Sequence, residues 1–496
     1  MVDDNKKLST ACQEIHQRLT AISQRLTSQP DRAQTVKDIK VLTAASTSQI
    51  YSSHDERSTS NASNEGYRCK CAFQLTPVSS FACINQEDQN AKSSHDLMYC
   101  IREHGVIIPL QDGIFPPANR RIRHAMVELL KSLNRKQSND IYQFRAMRNN
   151  LTSLTFVTSW GDGAQNALFG DCHVTLHYGP PGIFNASTSS DSTMATGNQC
   201  NASNWEEESE QICNECKLSS LTARSKGIKL TAFNSLLAQE GNKDCIIHDD
   251  IWITTYTQQN DIFGVSLVPP TLQSTCITRS VKVQYQKSTE AFQHPNAGVM
   301  LSSLHWILNT LSWIVKQSAV KPSLLEMYCG CGAHTIPCAK SGLLSEIVAV
   351  ELDERLVAAC RNNCLLNNCL QGENGCAETE VSVYKGDAAA WAKKALMSYK
   401  KQKANGSTIS NDSAMNFDIL LVDPPREGLD KTVCDLALKG QFKYMIYISC
   451  GRRALLRDLE TLCAGGFNVA DLAVIDLFPG TDAVESLVLL ERGGNN

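Results

Sequence analysis

The sequence predicts an α/β protein. Its C-terminal part reads as a doubly wound, largely parallel sheet, preceded by a mixed α/β region. From residue 322 onward, apolar runs of strand length alternate with helical patterns, as they do where parallel strands are joined by helical crossovers. Two of those runs end in distinctive residues. Ile419-Leu420-Leu421-Val422 leads into Asp423-Pro424-Pro425-Arg426, and Met445-Ile446-Tyr447-Ile448-Ser449 leads into Cys450. A third run leads into a Gly-x-Gly turn at Gly330 and Gly332. Parallel strands buried on both faces bind ligands at their carboxyl edge, so an acid and a thiol placed there make a candidate active site.

Taken in order, residues 9–27 place Ile15, Leu19, Ile22 and Leu26 on one face of an amphipathic helix. Residues 45–66 are rich in Ser, Thr and Asn and read as a flexible connection, giving a helical, partly flexible segment over 1–66. A central mixed α/β domain is expected over 67–288. Alternation over 67–75 predicts a strand with Arg68 and Lys70 on one face, and 120–133 has helical periodicity after Pro116-Pro117. Residues 154–158 and 173–177 read as strands. The polar stretch 181–225 reads as a surface insertion of low complexity. The third domain, 289–496, carries seven strands at 324–328, 347–351, 381–385, 417–422, 444–449, 468–476 and 486–490. An antiparallel edge is expected near the C-terminus, with a second polar insertion at 401–415.

With 496 residues, 42% hydrophobic and 20% charged, the chain has the composition of a soluble globular protein of two or three domains. A formal net charge of −4 means that nucleic-acid binding would depend on local basic patches. No apolar run is read as reaching the ~18 residues needed to span a bilayer, and the first residues lack the apolar core of a signal peptide. The 21 cysteines then read as reduced thiols, which implies a cytoplasmic protein, with nucleus or organelle as alternatives. Cys213-x-x-Cys216 has no clear fourth ligand and is read as packing, so no metal is expected.

The Gly-x-Gly turn lets the backbone approach a ligand. Glu351 ends the next strand 19 residues beyond Gly332, close to the ~20 at which an acid grips a ribose. The third glycine of a dinucleotide fingerprint is absent, so a nucleoside-like ligand without a pyrophosphate, such as S-adenosylmethionine, fits better. Asp387 suits either an adenine contact or a helix N-cap. Cys450 precedes Gly451-Arg452-Arg453 and a helix, and this setting is expected to shift its thiol toward thiolate. Glu485 opens the last strand, where spacing alone suggests a solvated end residue.

Several motifs together resemble the RNA (uracil-5-)-methyltransferase family. They are Phe292-Gln293-x-x-Asn296, Leu325-Glu326-Met327-Tyr328-Cys329-Gly330-x-Gly332, Val350-Glu351, Asp423-Pro424-Pro425-Arg426-x-Gly428-Leu429, Tyr447-Ile448-Ser449-Cys450 and Phe478-Pro479-x-Thr481-x-x-Val484-Glu485. The resemblance spans about 288–491, with weaker similarity at 67–73 and 115–116, and is closest to the tRNA branch. It implies a class I, Rossmann-like methyltransferase domain and a central RNA-binding domain. The methyl donor would be S-adenosylmethionine and the substrate a uridine in RNA, most naturally tRNA. Gln293, Tyr328, Glu351 and Asp423 are implied as donor contacts, Cys450 as nucleophile and Glu485 as base. Arg68, Lys70, Arg120, Arg121, Arg123 and Arg145 are candidate phosphate contacts. Ribosomal RNA, amino-group methylation and a decayed RNA-binding protein are the alternatives. Two departures bear on these: Ala333 and His334 follow the turn in place of Asn/Thr-Phe, and Gly451-Arg452 follows the nucleophile in place of Asn-Pro.

Overall fold

A computed structural model describes residues 4–26, 40–42, 68–81, 95–103, 105–137, 141–159, 170–180, 202–235, 245–258, 261–267, 277–318, 320–372, 378–404 and 416–493. The connection expected at 45–66 lies outside them, as do 181–201 and 405–415. The chain forms two compact units: Met1–Ser53 with Asp250–Lys287 and Gly298–Asn496, and His54–Asp249 with Ser288–Ala297. The expected boundaries therefore shift. The first 53 residues and residues 250–287 join the C-terminal unit, and 288–297 joins the other.

The chain begins with α1 (Asp4–Leu26) and β1 (Lys40–Leu42). The apolar stripe of α1 is the physical reason it belongs with the C-terminal unit. Ala11, Ile15, Leu19 and Ile22 are buried in the same core as Leu420, Tyr447, Leu459 and Val474. Burying such a stripe offsets the entropy of ordering the helix. Lys7 adds an ion pair to Asp476 and a hydrogen bond to Phe478 O, 3.2 Å.

The central unit holds β2 (Lys70–Pro77), β3 (Leu97–Glu103), β4 (Val106–Pro109), α2 (Arg120–Leu133), the short α3 (Arg145–Arg148), β5 (Leu151–Thr158), β6 (Cys172–Tyr178), α4 (Ala202–Glu215), β7 (Ser220–Ser225) and β8 (Ile228–Phe233). The strands form one sheet in the order β4-β3-β2-β5-β6-β7-β8. Asn119 caps α2 by accepting the Ile122 amide, 2.9 Å. Residues 202–225 are not the insertion that their composition suggested. β6 and β7 run parallel, and parallel neighbours need a crossover. Along that crossover α4 buries Trp205, Ile212 and Cys213, and Trp205 Nε1 donates to Tyr178 Oη, 2.9 Å. So few apolar residues among so many polar ones hid the helix. Cys216 is also buried, 3.7 Å from Ser132 Oγ. Arg121 is another correction. It is buried, and its guanidinium donates to Gly170 O, 3.0 Å, and to Lys217 O. It staples backbone within the unit and is not placed to meet a phosphate.

The remaining elements are β9 (Ile246–Gln258), β10 (Asp261–Ser266), β11 (Ile277–Ser288), α5 (Ala297–Lys316), β12 (Leu324–Met327), α6 (Thr335–Lys340), β13 (Glu346–Glu351), α7 (Glu354–Leu366), β14 (Glu380–Lys385), α8 (Ala388–Ala404), β15 (Ile419–Val422), α9 (Lys431–Lys439), β16 (Tyr444–Ser449), α10 (Arg452–Ala464), β17 (Phe467–Asp476) and β18 (Val484–Arg492). Contrary to the sequence reading, α5 is long and apolar enough to cross a bilayer: 20 residues, with 78% of its apolar window buried inside the protein. That burial makes it a core helix.

The main sheet runs β1-β17-β18-β16-β15-β12-β13-β14. It is the doubly wound, Rossmann-like arrangement, with an eighth strand, β1, parallel to β17. The antiparallel strand is not at the edge. β18 lies between β16 and β17 and is antiparallel to both. Seven of its nine residues are buried, because both sheet faces are covered and each position must be apolar or paired.

Candidate active site

Three strand ends meet at one edge of the main sheet. β15 pairs with β16 in parallel, Val422 opposite Tyr447, which sets Asp423 beside Ile448. β16 pairs with β18 with Ser449 opposite Ser486, and the next rung puts Cys450 level with Glu485. Glu485 is only 4% exposed, so it is not the solvated strand end that spacing suggested.

Burial and proximity together set the electrostatics. Burial pushes the Asp423 carboxyl up to about 7. Glu485 is pushed well above the ordinary carboxyl range, first by burial and then by the charge of Asp423, with Arg426 opposing. The Cys450 thiol is also raised, by burial first and then by Glu485 and Asp423. The nearby Arg426 side chain opposes. The expected shift toward thiolate is thus reversed. Of the two arginines invoked for it, Arg452 is held by Glu14 of α1, Nε to Oε2 2.9 Å, and Arg453 is exposed. The cation at the thiol is Arg426, from the Pro-Pro-Arg loop.

The same loop explains the departure at Gly451. A Cβ at 451 would run into the carbonyl oxygen of Arg426 and stand 3.2 Å from its Cα. The two loops carrying Asp423 and Cys450 thus cross backbone on backbone, which only glycine allows.

A second group surrounds the turn after β12. Tyr328 has φ 66°, a conformation that costs a tyrosine energy and must be held by its surroundings. Its amide donates to Val350 O, 2.9 Å. Burial, Asp387 and Asp430 push its phenol up to about 12. Gly330, at φ 57°, opens onto free space on its side-chain side, whereas a Cβ added at Gly332 would stand 3.0 Å from Cys360 Sγ. Glu351 accepts the Gly330 amide through Oε2, 3.0 Å, and the Asp353 amide through Oε1, 2.8 Å. Tyr285 Oη donates to Ala333 O, 3.1 Å, and Asn363 Nδ2 to Cys331 O, 3.0 Å. These bonds anchor the turn from β11 and α7. Asp387 Oδ2 accepts the Ala390 amide, 2.8 Å, and so caps α8.

The sequence reading quoted Glu326 in a motif but gave it no role. It is buried under the turn, accepts from Thr335 Oγ1 at 2.6 Å, and is pushed far up by burial. The available signal was one acid inside an otherwise apolar strand, Leu324-Leu325-Glu326-Met327. Gln293 belongs to the other unit. Its Nε2 donates to Ser288 O, 3.1 Å, while its buried Oε1 has no hydrogen-bond partner among the described residues.

Comparison with known proteins agrees with this arrangement. Residues 271–493 match the family model described as tRNA (uracil-5-)-methyltransferase. That stretch is similar in sequence to the tRNA (uracil-5-)-methyltransferase family. A tRNA/tmRNA (uracil-C(5))-methyltransferase from Idiomarina loihiensis is 31% identical over 223 residues, 44% of this chain and 54% of that protein. The protein of that name from Neisseria meningitidis serogroup B is 30% identical over 228 residues, 45% and 57%. The chain therefore spans about half the length of the curated relatives it matches. Among solved structures, the tRNA (uracil-54, C5)-methyltransferase of Pyrococcus abyssi, in complex with S-adenosyl-L-homocysteine, aligns with a TM-score of 0.50. It shares 14% identity and covers 99% of this chain and 84% of that one. This likeness is one of fold. Every strand end described above lies in the main sheet and within the matched residues, which also include Gln293.

Proposed function

We propose that the protein methylates C5 of a uridine in RNA, tRNA first among candidates, using S-adenosylmethionine. The observation that carries this reading is Cys450 level with the buried Glu485, with Asp423 and Arg426 beside them. Amino-group methylation needs no nucleophile, whereas C5 of uracil is too weakly nucleophilic to take a methyl group unaided.

The chain's residues suit the donor. Gly330 leaves an open cradle beside Glu351, and each Glu351 oxygen keeps a lone pair for a ribose hydroxyl. Tyr328, Asp423 and Asp387 beyond its cap complete the assignment within this unit, and Gln293 is assigned to the donor by its motif alone. When bound, the donor supplies an electrophilic methyl on a sulfonium. Glu351→Ala should weaken donor binding by about 1–3 kcal/mol, roughly 5- to 150-fold. Titration calorimetry measures this, and unchanged affinity would remove Glu351 from the donor site.

In the reaction, Cys450 loses its proton to solvent and the thiolate adds to C6 of the uracil, giving an enolate with carbanion character at C5. Arg426 holds the thiolate. C5 would then take the methyl group the donor supplies, the C–S electron pair staying on the donor's sulfur. Glu485 then removes the C5 proton, and the returning electrons expel the thiolate and restore the ring. The base must leave its stack to reach this edge. RNA contact is assigned to the central unit, with Arg68, Lys70, Arg120, Arg123 and Arg145 as phosphate ligands. The many reduced thiols suit a cytoplasmic, nuclear or organellar compartment.

The test is incubation with methyl-labelled donor and separate tRNA and ribosomal RNA, followed by nucleoside analysis. Label in 5-methyluridine from tRNA is expected; label only in N-methylated bases would overturn the reading. Cys450 and Glu485 must both be deprotonated to act, and both titrate above their ordinary values. Asp423 ionises near 7. The rate should therefore climb as pH rises from 7 to 9, and a profile falling over that range would contradict the assignment.

A further inference from the structure

Asp458, on α10, is not part of the chemistry above. It is buried, yet its carboxylate is fully engaged. Oδ2 accepts the Leu429 amide, 2.8 Å, and the Tyr447 hydroxyl, 2.7 Å. Oδ1 accepts Arg457 Nε, 2.8 Å. Arg457 reaches back to the same loop, Nη2 to Glu427 O at 3.0 Å and to Leu429 O at 3.4 Å. One buried anion therefore joins three things: the loop 425–429, strand β16 three residues before Cys450, and the helix that starts two residues after Cys450.

The fit around it is close. Gly428 has φ 81°, and a Cβ there would collide with Asp458 Oδ2, Ala454 and Arg457. Its amide closes the turn onto Pro425 O, 2.9 Å. On the other side of the loop, the Arg426 carbonyl lies against Gly451. The backbone of Arg426 is thus held between Gly451 on one side and the Gly428–Asp458 contact on the other. Nothing in the exposed Arg426 side chain itself would fix where its guanidinium points, since long exposed side chains keep most of their rotamer freedom. A buried charge kept this deep, with each lone pair matched to a donor, is costly unless it specifies a geometry.

We infer that Asp458 is a positioning residue that aims Arg426 at the Cys450 thiol by fixing the loop between them. The inference rests on the assignment of Cys450 as nucleophile, but its test does not need RNA or a methyl donor. Cys450 faces Glu485, Asp423 and Arg426, and Arg426 is the one cation among them. Loss of its aim should leave the two carboxylates unopposed and make the thiol harder to ionise.

The experiment is alkylation of the intact chain by iodoacetamide across pH 6.5–10, followed at the Cys450 peptide by mass spectrometry. Asp458→Asn should slow Cys450 alkylation at pH 8 by about 3- to 10-fold and move its pH midpoint upward. Arg426→Ala should do the same, and the double variant should add little, because the two act through one contact. Tyr447→Phe, which removes one donor and keeps the packing, should give a smaller slowing in the same direction. An Asp458→Asn protein that melts earlier yet keeps the wild-type midpoint overturns the inference. So does a double variant whose effects simply add. If Asp458→Asn does not fold, an unchanged midpoint in Tyr447→Phe overturns it. If wild-type Cys450 alkylates as described but no RNA is methylated, the proposed function fails while this inference stands.

Discussion

Cys450→Ala should retain donor and RNA binding but form no product, a loss of at least several orders of magnitude. The methyl group has nowhere to go unless C5 becomes a carbanion, and no other group in the cluster can make it one. Asp423 and Glu485 are carboxyls, far weaker nucleophiles toward carbon than a thiolate, and both are raised by burial, and Arg426 has no lone pair to give. The other cysteines cannot substitute. Cys434 and Cys463, on the flanking helices, are buried and both pushed up to about 12. A further five, Cys329, Cys331, Cys360, Cys364 and Cys369, are buried around the turn after β12 or along α7 and its end. Replacing any of these should change stability by a packing amount, about 1–3 kcal/mol at most, and leave the chemistry intact. Product from Cys450→Ala, measured as 5-methyluridine, would end the covalent mechanism.

Glu485→Gln should separate the two halves of the reaction. The amide is nearly isosteric and keeps the buried site filled, but it cannot take a proton. Thiolate addition and methyl transfer should proceed and elimination should stop. The protein should then accumulate as an enzyme–RNA adduct that survives denaturation and carries the labelled methyl. On a denaturing gel, wild type should show little adduct with ordinary RNA. It should be trapped by 5-fluorouridine, whose fluorine cannot leave as a cation. Wherever Glu485 is ionised it is the anion that raises the thiol most, so the neutral amide should not hinder addition. Normal turnover by Glu485→Gln would mean that another group is the base.

Much of this site was legible because its residues sit at strand ends, and strand ends are visible in sequence. Val422-Asp423 and Ser449-Cys450 are abrupt changes into reactive residues, and buried parallel strands carry such residues mostly where the strand leaves the sheet. Glu351 could be read from its spacing to Gly332 for the same reason. The helix α1 was visible from its stripe, although nothing in the stripe said which surface it would cover. The whole crossover α4 was hidden, because three apolar residues on a polar helix look like a solvated segment until a parallel strand pair is seen to need them.

What the sequence by itself determined was the class of fold, the order of strands and helices in the C-terminal unit, and the chemical identity of the groups available at its edge. Local periodicity and strand-end chemistry are written in consecutive residues. Only the tertiary structure decided which groups meet. Glu485 stands 35 residues beyond Cys450, and it faces that thiol solely because β18 turns back antiparallel between β16 and β17. The charge on the thiol was decided the same way. Arg452 and Arg453 are its neighbours in sequence, but Glu14 claims the first, the second is exposed, and a backbone crossing at Gly451 brings in Arg426 instead. Electrostatic interaction depends on distance and burial in space, neither of which is a property of neighbouring letters.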